Sequence, residues 1–449
     1  PCYARLFADL TRMSPNPIIA SGGCGPRAPR GFSTSCLLYE VNRMLSVKTP
    51  DEAFAIIETQ FDTPLPGETV PLAEARGRVL SEDIVAGEYI PGFHRSTVDG
   101  WAVMAAETFG CSDSLPAIFV KGGAVAMGEA PPHALLPGTC MEIPTGGQLP
   151  EGADAVAMLE YAEDYGDGTI GICKPIAPKT NIIFQGDDVF PGKSVLLAGR
   201  RLTFQDVGAL AAMGITAVPV RKQPRVAIIS TGDELVAPHQ VPGPGQIRDV
   251  NTAMLAAFVA QLGGVPLCQG FLKDQEKRLR AAVEAVIPTC DMVMLSGGSS
   301  VGEKDAAHRV IASLGRLLFH GIAMKPGKPT MLGVIAGKPI LGLPGHPAAA
   351  AFTADLFGRA ILERLTGSRS ERYPVQAVLD ETIGANHGRA EYMGVKLYPV
   401  GTILYAHPIR SKSGLITALA GSDGWFCIPR DVEGLQAGAT IQVMTHTIG

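Results

Sequence analysis

Carboxylates, lysines and small residues gather in four short polar stretches in the second half of the chain. They are 230–235 (STGDEL), 296–305 (SGGSSVGEKD), 325–329 (KPGKP) and 342–347 (GLPGHP), with Lys273-Asp274 between the first two. Such residues suit chemistry on anions. Ser296, Gly297, Gly298, Ser300 and Gly302 form a run of small residues whose backbone N–H groups can turn toward one point, a nest of the kind that holds phosphate. Glu234, Asp274 and Asp305, with no His or Cys companion, make a hard oxygen set suited to Mg²⁺ beside phosphates. Lys325 and Lys328 are stiffened by prolines, which lowers the freedom lost when a charge is placed against an anion. Each acid alone would serve equally well as a helix cap, Asp274 for a helix over 275–287 and Asp305 for one over 306–314. Together on one edge they read as a site. The nine histidines are isolated, His346 reading as a turn or surface residue, and no Ser/His/Asp set or Cys motif points to covalent catalysis.

These stretches need a scaffold that brings them together. From Arg225 onward, apolar runs near 226–230, 265–271, 291–295 and 339–343 alternate with helical patterns, the texture of an α/β domain with a buried parallel sheet. Each run ends in one of the polar turns, and ligands of doubly wound sheets bind at that carboxyl edge. Asn251-Thr252 reads as the cap of one helix, and 348–365 as a long helix stopped by Gly367. Upstream, Thr49-Pro50-Asp51-Glu52 is a capping box ahead of Phe54, Ile57 and Phe61, and a second helix is expected over about 72–80. Short Gly- and Pro-broken strands follow, and again after residue 370.

The expected architecture is multidomain α/β plus β. A mixed linker domain takes 44–90 and 181–221, a small β domain 91–180, a doubly wound α/β domain 222–370 and a C-terminal β-barrel 371–449. Residues 1–43 show no sustained period and no signal-peptide run, and are expected to be a disordered or non-native extension ahead of a start at Met44.

Bulk properties narrow the function. A chain of 449 residues with 46% hydrophobic content is globular and too long for one core. A net charge of −5 argues against nucleic acid as a partner, while leaving room for local basic pockets. The nine cysteines form no CxxC pair, as expected of reduced thiols in the cytoplasm. No apolar run is long enough to span a bilayer.

With its motifs in this order, the sequence resembles the molybdopterin molybdenumtransferase family, the molybdate-inserting enzymes of molybdenum cofactor synthesis, related to the C-terminal domain of gephyrin. STVDGWAV (96–103), PTGGQLPEGADAV (144–156) and GDDV (186–189) match that family's second domain, and the likeness runs from Met44 to the C-terminus. The resemblance implies a homodimer with a cleft shared between subunits. Adenylylated molybdopterin and molybdate would enter and AMP and molybdenum cofactor leave, with Mg²⁺ assisting. It places Glu234, Asp274 and Asp305 at the metal and adenylyl phosphate, and assigns Asp99, Thr145 and Asp188 to the contribution from the β domain across the interface. Lys325 would contact anionic groups. Pro344 and Pro347, with Arg389, Ser411 and Ser413 from the barrel, would shape the molybdate pocket. A molybdopterin adenylyltransferase before it and apo-molybdoenzymes after it are the implied protein partners.

Three positions depart from the family pattern. Asp187 stands where Glu is usual, Ile183-Phe184-Gln185 replaces an often basic stretch, and Gly321 occupies a position where many members have Lys or Arg. Fewer positive charges bear on binding of the anionic pterin, or mark a tungstate-preferring paralogue. The competing readings are an adenylyltransferase acting on molybdopterin, which the extra domains disfavour, and a non-catalytic pterin-binding scaffold, which the intact acidic set disfavours.

Overall fold

The structure, a computed structural model, describes residues 47–297, 306–368, 372–385, 387–410 and 412–446. The expectations for 1–43, Gly298, Ser300, Gly302, Asp305 and Ser411 fall outside the described residues.

A six-stranded sheet carries the site. Its order from edge to edge is Val265–Leu272, Arg225–Thr231, Met292–Ser296, Lys338–Leu343, Met331–Ile335 and Arg316–His320. The first four strands are parallel and the last two antiparallel. The strand period of two splits each central strand between two cores. Val226, Ile228, Met292, Met294 and Leu341 face the helix Val250–Gln261 and the helical segment that begins at Pro347. Ala227, Ile229, Val293, Leu295 and Ile340 face the helices Glu276–Val286 and Ala306–Leu314. The sheet is thus covered on both sides, as its near-continuous apolar strands require.

The C-terminal region closes into a five-stranded barrel. Ala390–Val400 pairs with Ile403–Pro408 on one side and with Gly424–Ile428 on the other, through Val375–Leu379 and Thr440–Thr445. The short strand Met324–Lys325, from KPGKP, adds to this barrel in parallel at Ala390-Glu391. Ala390, Tyr392, Trp425 and Met444 of the barrel share a core with the α/β domain. A second six-stranded sheet, Ala155–Met158, Gly100–Val103, Thr139–Ile143, Ala117–Ala124, Thr169–Ile172 and Ala162–Asp164 in that order, forms the small β region. A third body is built on Gly67–Pro71 paired with Ala217–Arg221 and on the helix Phe204–Ala212.

The cap expected at Thr49 forms. Thr49 accepts from the Glu52 backbone, and Glu52 from Thr49, in a complete capping box. The helix it opens, Pro50–Gln60, places Phe54, Ile57 and Phe61 in the core of the α/β domain, although its place in the chain pointed to the linker region.

Other expectations fail for stated reasons. The helix expected over 72–80 is only a 3₁₀ turn, Leu72–Glu74, because Val79 and Leu80 bridge to Arg201 and Val220 instead. Asp249, rather than Asn251-Thr252, caps Val250–Gln261 by accepting from the Thr252 N–H. Asp274 caps nothing, since Gln275 holds the cap position of Glu276–Val286 and no side chain bonds there. The helix read over 348–365 starts at Pro347 and passes through a π-turn, Ala354–Gly358, before Arg359–Thr366.

Candidate active site

The carboxyl edge of the parallel strands presents its polar turns in spatial order. Asp274 follows Val265–Leu272, Glu234 follows Arg225–Thr231, Ser296-Gly297 closes Met292–Ser296, and Pro344 follows Lys338–Leu343. At a strand spacing of about 4.8 Å, the first and last of these strands lie roughly 14 Å apart. That is room for two anionic groups side by side.

One cleft of about 2070 Å³ collects these turns and a wall from the barrel. Glu234, Asp274, Ser296, Gly297, Lys325, Lys328, Pro344, Pro347, Arg389 and Ser413 all line it. Seven Lys or Arg residues face four Asp or Glu there, a local surplus of three positive charges on a chain of net charge −5. Such a surplus in a concave wall raises the local concentration of anions.

The loops are tied by a buried polar link that sequence reasoning missed. Asn251 donates from Nδ2 to Ser296 Oγ at 2.6 Å and to the Gly345 carbonyl at 2.8 Å, joining the Ser-Gly-Gly and Pro-Gly-His loops. The Ser296 hydroxyl is therefore committed inside the protein. The Asn251 Oδ1 atom is buried and has no partner among the described residues. The one sequence hint is that Asp249 and Asn251 are both cap-type residues two apart, and Asp249 takes the cap. Gly297 has φ +102, and a Cβ on it would lie 2.0 Å from the Thr231 carbonyl, so the loop passes too close to the neighbouring strand for any side chain.

The two acids at the other end of the edge are exposed, and neither carboxylate makes a hydrogen bond among the described residues. Oxygen-only donors on adjacent strand ends, with no internal partner, suit a hard divalent cation. Among the described residues no group of three His, Cys, Asp or Glu side chains is placed to hold a metal.

On the barrel side, Lys325 Nζ donates to Glu391 Oε1 at 2.7 Å, whereas Lys328 and Arg389 have no side-chain partner among the described residues. His346 sits on the rim with Nδ1 2.8 Å from Ser413 Oγ, and the Ala348 N–H donates to the Ser413 carbonyl, so two hydrogen bonds fasten the GLPGHP turn to the barrel. Tyr392 adds a wall below, its phenol pushed well above the ordinary value by burial and then by Cys427.

Asp99, Thr145 and Asp188 do not line this cleft within one chain. Asp99 lies just ahead of Gly100–Val103, where its Oδ1 accepts from the Thr145 N–H at 2.7 Å, so these two are brought together. Asp188 is exposed, its N–H donating to the Ile90 carbonyl. Gly321 has a physical reason to be glycine: it adopts φ +99 in a buried turn, a conformation that strains Lys or Arg.

Fold and cleft together define a multidomain protein with a cation-rich cleft where a doubly wound sheet meets a C-terminal barrel. Comparison with known proteins makes this specific. Residues 48–214 match the MoeA N-terminal region (domains I and II), 227–364 the probable molybdopterin binding domain, and 376–445 the MoeA C-terminal region (domain IV). Molybdopterin molybdenumtransferase 2 of Mycobacterium tuberculosis is 33% identical over 84% of this chain and 95% of its own length. The molybdopterin molybdenumtransferase of Bacillus subtilis is 31% identical over 89% and 95%. The crystal structure of the molybdopterin biosynthesis MoeA protein from Pyrococcus horikoshii OT3 superposes with a TM-score of 0.79 at 32% identity, covering 89% of this chain and all of that one. The chain belongs to the MoeA family of molybdopterin molybdenumtransferases. It is an enzyme of molybdenum cofactor biosynthesis.

Proposed function

We propose that this protein inserts molybdate into adenylylated molybdopterin, releasing AMP and molybdenum cofactor in a Mg²⁺-dependent reaction. The observation that supports this most directly is the composition of the single cleft. Among the described residues the acids Glu234 and Asp274, at one end of the strand edge, and the cations Lys328 and Arg389, on its other side, have no side-chain partner.

The reaction brings a dianion to a phosphoanhydride, so the protein must lower the repulsion between them. A molybdate oxygen attacks the adenylyl phosphorus, and the anhydride P–O bond breaks with its electron pair left on the molybdopterin phosphate. The two thiols of the pterin then bond to molybdenum, their protons leaving with one oxide as water, and AMP departs with the bridging oxygen. Lys328, Arg389 and the second face of Lys325 hold oxyanion oxygens, and Pro344 and Pro347 shape the wall beside them. The Ser296-Gly297 turn holds the phosphate side through backbone N–H groups. Glu234 and Asp274, with Asp305, would hold Mg²⁺, which when bound supplies charge neutralisation beside the phosphates.

Asp99, Thr145 and Asp188, which lie off the cleft of their own chain, act in this reading on the cleft of a second subunit in a homodimer. An adenylyltransferase would supply the adenylylated pterin, and apo-molybdoenzymes would take the product.

The test supplies adenylylated molybdopterin with Mg²⁺ and follows AMP release with molybdate and with tungstate in parallel. Oxyanion-dependent AMP release is expected. Tight pterin binding with no AMP would instead identify a scaffold, ATP consumption on free molybdopterin an adenylyltransferase, and a response to tungstate alone a tungstate-preferring paralogue.

A further inference from the structure

The cleft contains one acid on its cationic side. Glu391 lies on the barrel strand Ala390–Val400, directly opposite Lys325 in the parallel register, and is only 7% exposed. Its Oε1 accepts from Lys325 Nζ at 2.7 Å, while Oε2 is buried without a partner among the described residues. A carboxylate taken out of water with half its acceptors unused is costly, and an apolar side chain would fill a buried position between Ala390 and Tyr392 at less cost. The lysine has the opposite character. Its side chain is 49% exposed, and an ammonium has three donors, so one bond to Glu391 leaves two for the cleft. The nearby Lys328, in the same pentapeptide, has no such acceptor among the described residues.

We propose that Glu391 is a positioning residue for the oxyanion. It anchors the Lys325 ammonium at a fixed point in the cleft and balances part of its charge, so that a tetrahedral dianion meets a pre-placed donor without being trapped by an unopposed cation. Preorganisation of this kind lowers the ordering cost of binding and leaves release fast. The inference rests on the proposed reading of the cleft as an oxyanion site and extends it to a residue from the barrel.

Molybdate binding to the full chain by equilibrium dialysis, at low and high salt, decides it. The proteins are wild type, Glu391→Gln, Glu391→Ala, Lys325→Ala and the double variant Lys325→Ala/Glu391→Ala, and the AMP assay adds KM for molybdate and kcat for each. Glu391→Gln keeps an acceptor oxygen, so its molybdate Kd should stay within about threefold of wild type or tighten, with a steeper salt dependence. Glu391→Ala should raise Kd and KM about tenfold with a smaller change in kcat, because it frees a lysine that was held by a charge-assisted bond. With Lys325 already alanine, the same change at 391 should add less than about twofold.

Equal effects of Gln and Ala on Kd would overturn the proposal, as would an Ala effect that persists without Lys325. If Glu391→Ala does not fold, Glu391→Gln replaces it, and the extra salt dependence must vanish in the Lys325→Ala background for the proposal to stand. Inorganic phosphate and sulfate serve as parallel probes. The same coupling on phosphate with no molybdate binding would sink the molybdate reading and keep the positioning role, whereas no oxyanion binding at all would overturn both.

Discussion

Asp355 makes the most quantitative test of how the cleft is held together. It sits on the π-turn Ala354–Gly358 and accepts from Arg359 at 2.5 Å, from Arg372 at 3.1 Å and from the Trp425 indole N–H at 2.8 Å. Trp425 belongs to the barrel and Arg372 to the segment leading into it, so one carboxylate fastens the barrel to the α/β domain. Burial alone would raise its pKa, but the two guanidinium groups outweigh that and hold it at about 2, against 3.8 for a free side chain. At about 1.4 kcal/mol per unit, that difference is worth about 2 kcal/mol at neutral pH.

The folded pKa is depressed, so the contribution is complete above about pH 4 and is lost as pH falls toward 2, with about 1 kcal/mol gone at pH 3. Asp355→Asn should cost more than this at pH 7, about 3–5 kcal/mol, because the buried Arg359 and the partly buried Arg372 are left with only a neutral partner. Urea denaturation at pH 7, 4 and 3 reads both effects. The gap between wild type and variant should be large at pH 7 and 4 and narrow by about 1 kcal/mol at pH 3. Because Arg389 and Ser413 reach the cleft from the barrel, KM for molybdate should rise in the variant under conditions where it remains folded. A gap below about 1 kcal/mol at pH 7, or one unchanged between pH 7 and pH 3, would show that the carboxylate does not act as this lock.

Three further outcomes are expected. Glu234→Ala and Asp274→Ala should each lower AMP release on the order of 100-fold, with the unfolding midpoint unchanged since both side chains are exposed; turnover at the wild-type rate in either would remove it from the metal site. Gly297→Ala forces a left-handed backbone and a contact with the Thr231 carbonyl, so it should cost about 1–3 kcal/mol in urea denaturation and weaken phosphate-side binding, and equal stability would mean the loop can move away. Asp99→Ala and Asp274→Ala, each strongly impaired alone, should recover part of the AMP release when mixed into heterodimers; no recovery in heterodimers shown to form counts against a cleft shared between subunits.

The α/β region was legible because its signals are local and mutually consistent. Apolar runs bounded by polar turns specify buried parallel strands, and strand order then puts Asp274, Glu234, Ser296 and Pro344 on one edge without any knowledge of side-chain contacts. What escaped depends on distant partners. Val79 and Leu80 have helical neighbours but are claimed by strands more than a hundred residues away. Asp274 looks like a cap in sequence, yet the chain enters the following helix one residue later, and its carboxylate makes no cap bond. Glu391 is one acid in a barrel strand, and only the parallel addition of Met324–Lys325 reveals what it faces. The link at Asn251 was hidden by a rival cap, Asp249, that takes the obvious role.

The distribution of partners also explains why the cleft needs several bodies. A single parallel sheet can offer acids, N–H groups and a proline turn along its edge, but each strand end contributes only one turn, spaced about 4.8 Å from the next. Two polyanions held that close repel strongly unless cations stand on the far side as well. The sheet edge of this chain supplies the acids and the half proposed to hold phosphate, and the barrel supplies Arg389, Ser413 and the acceptor that fixes Lys325. The barrel's position is itself set by the KPGKP strand addition, the His346–Ser413 bond and the buried Asp355. The stability of that junction and the oxyanion affinity of the cleft are therefore one quantity seen two ways. Variants that loosen the junction should lose oxyanion affinity before they lose the phosphate-holding half, whose turns are anchored within the sheet by Asn251.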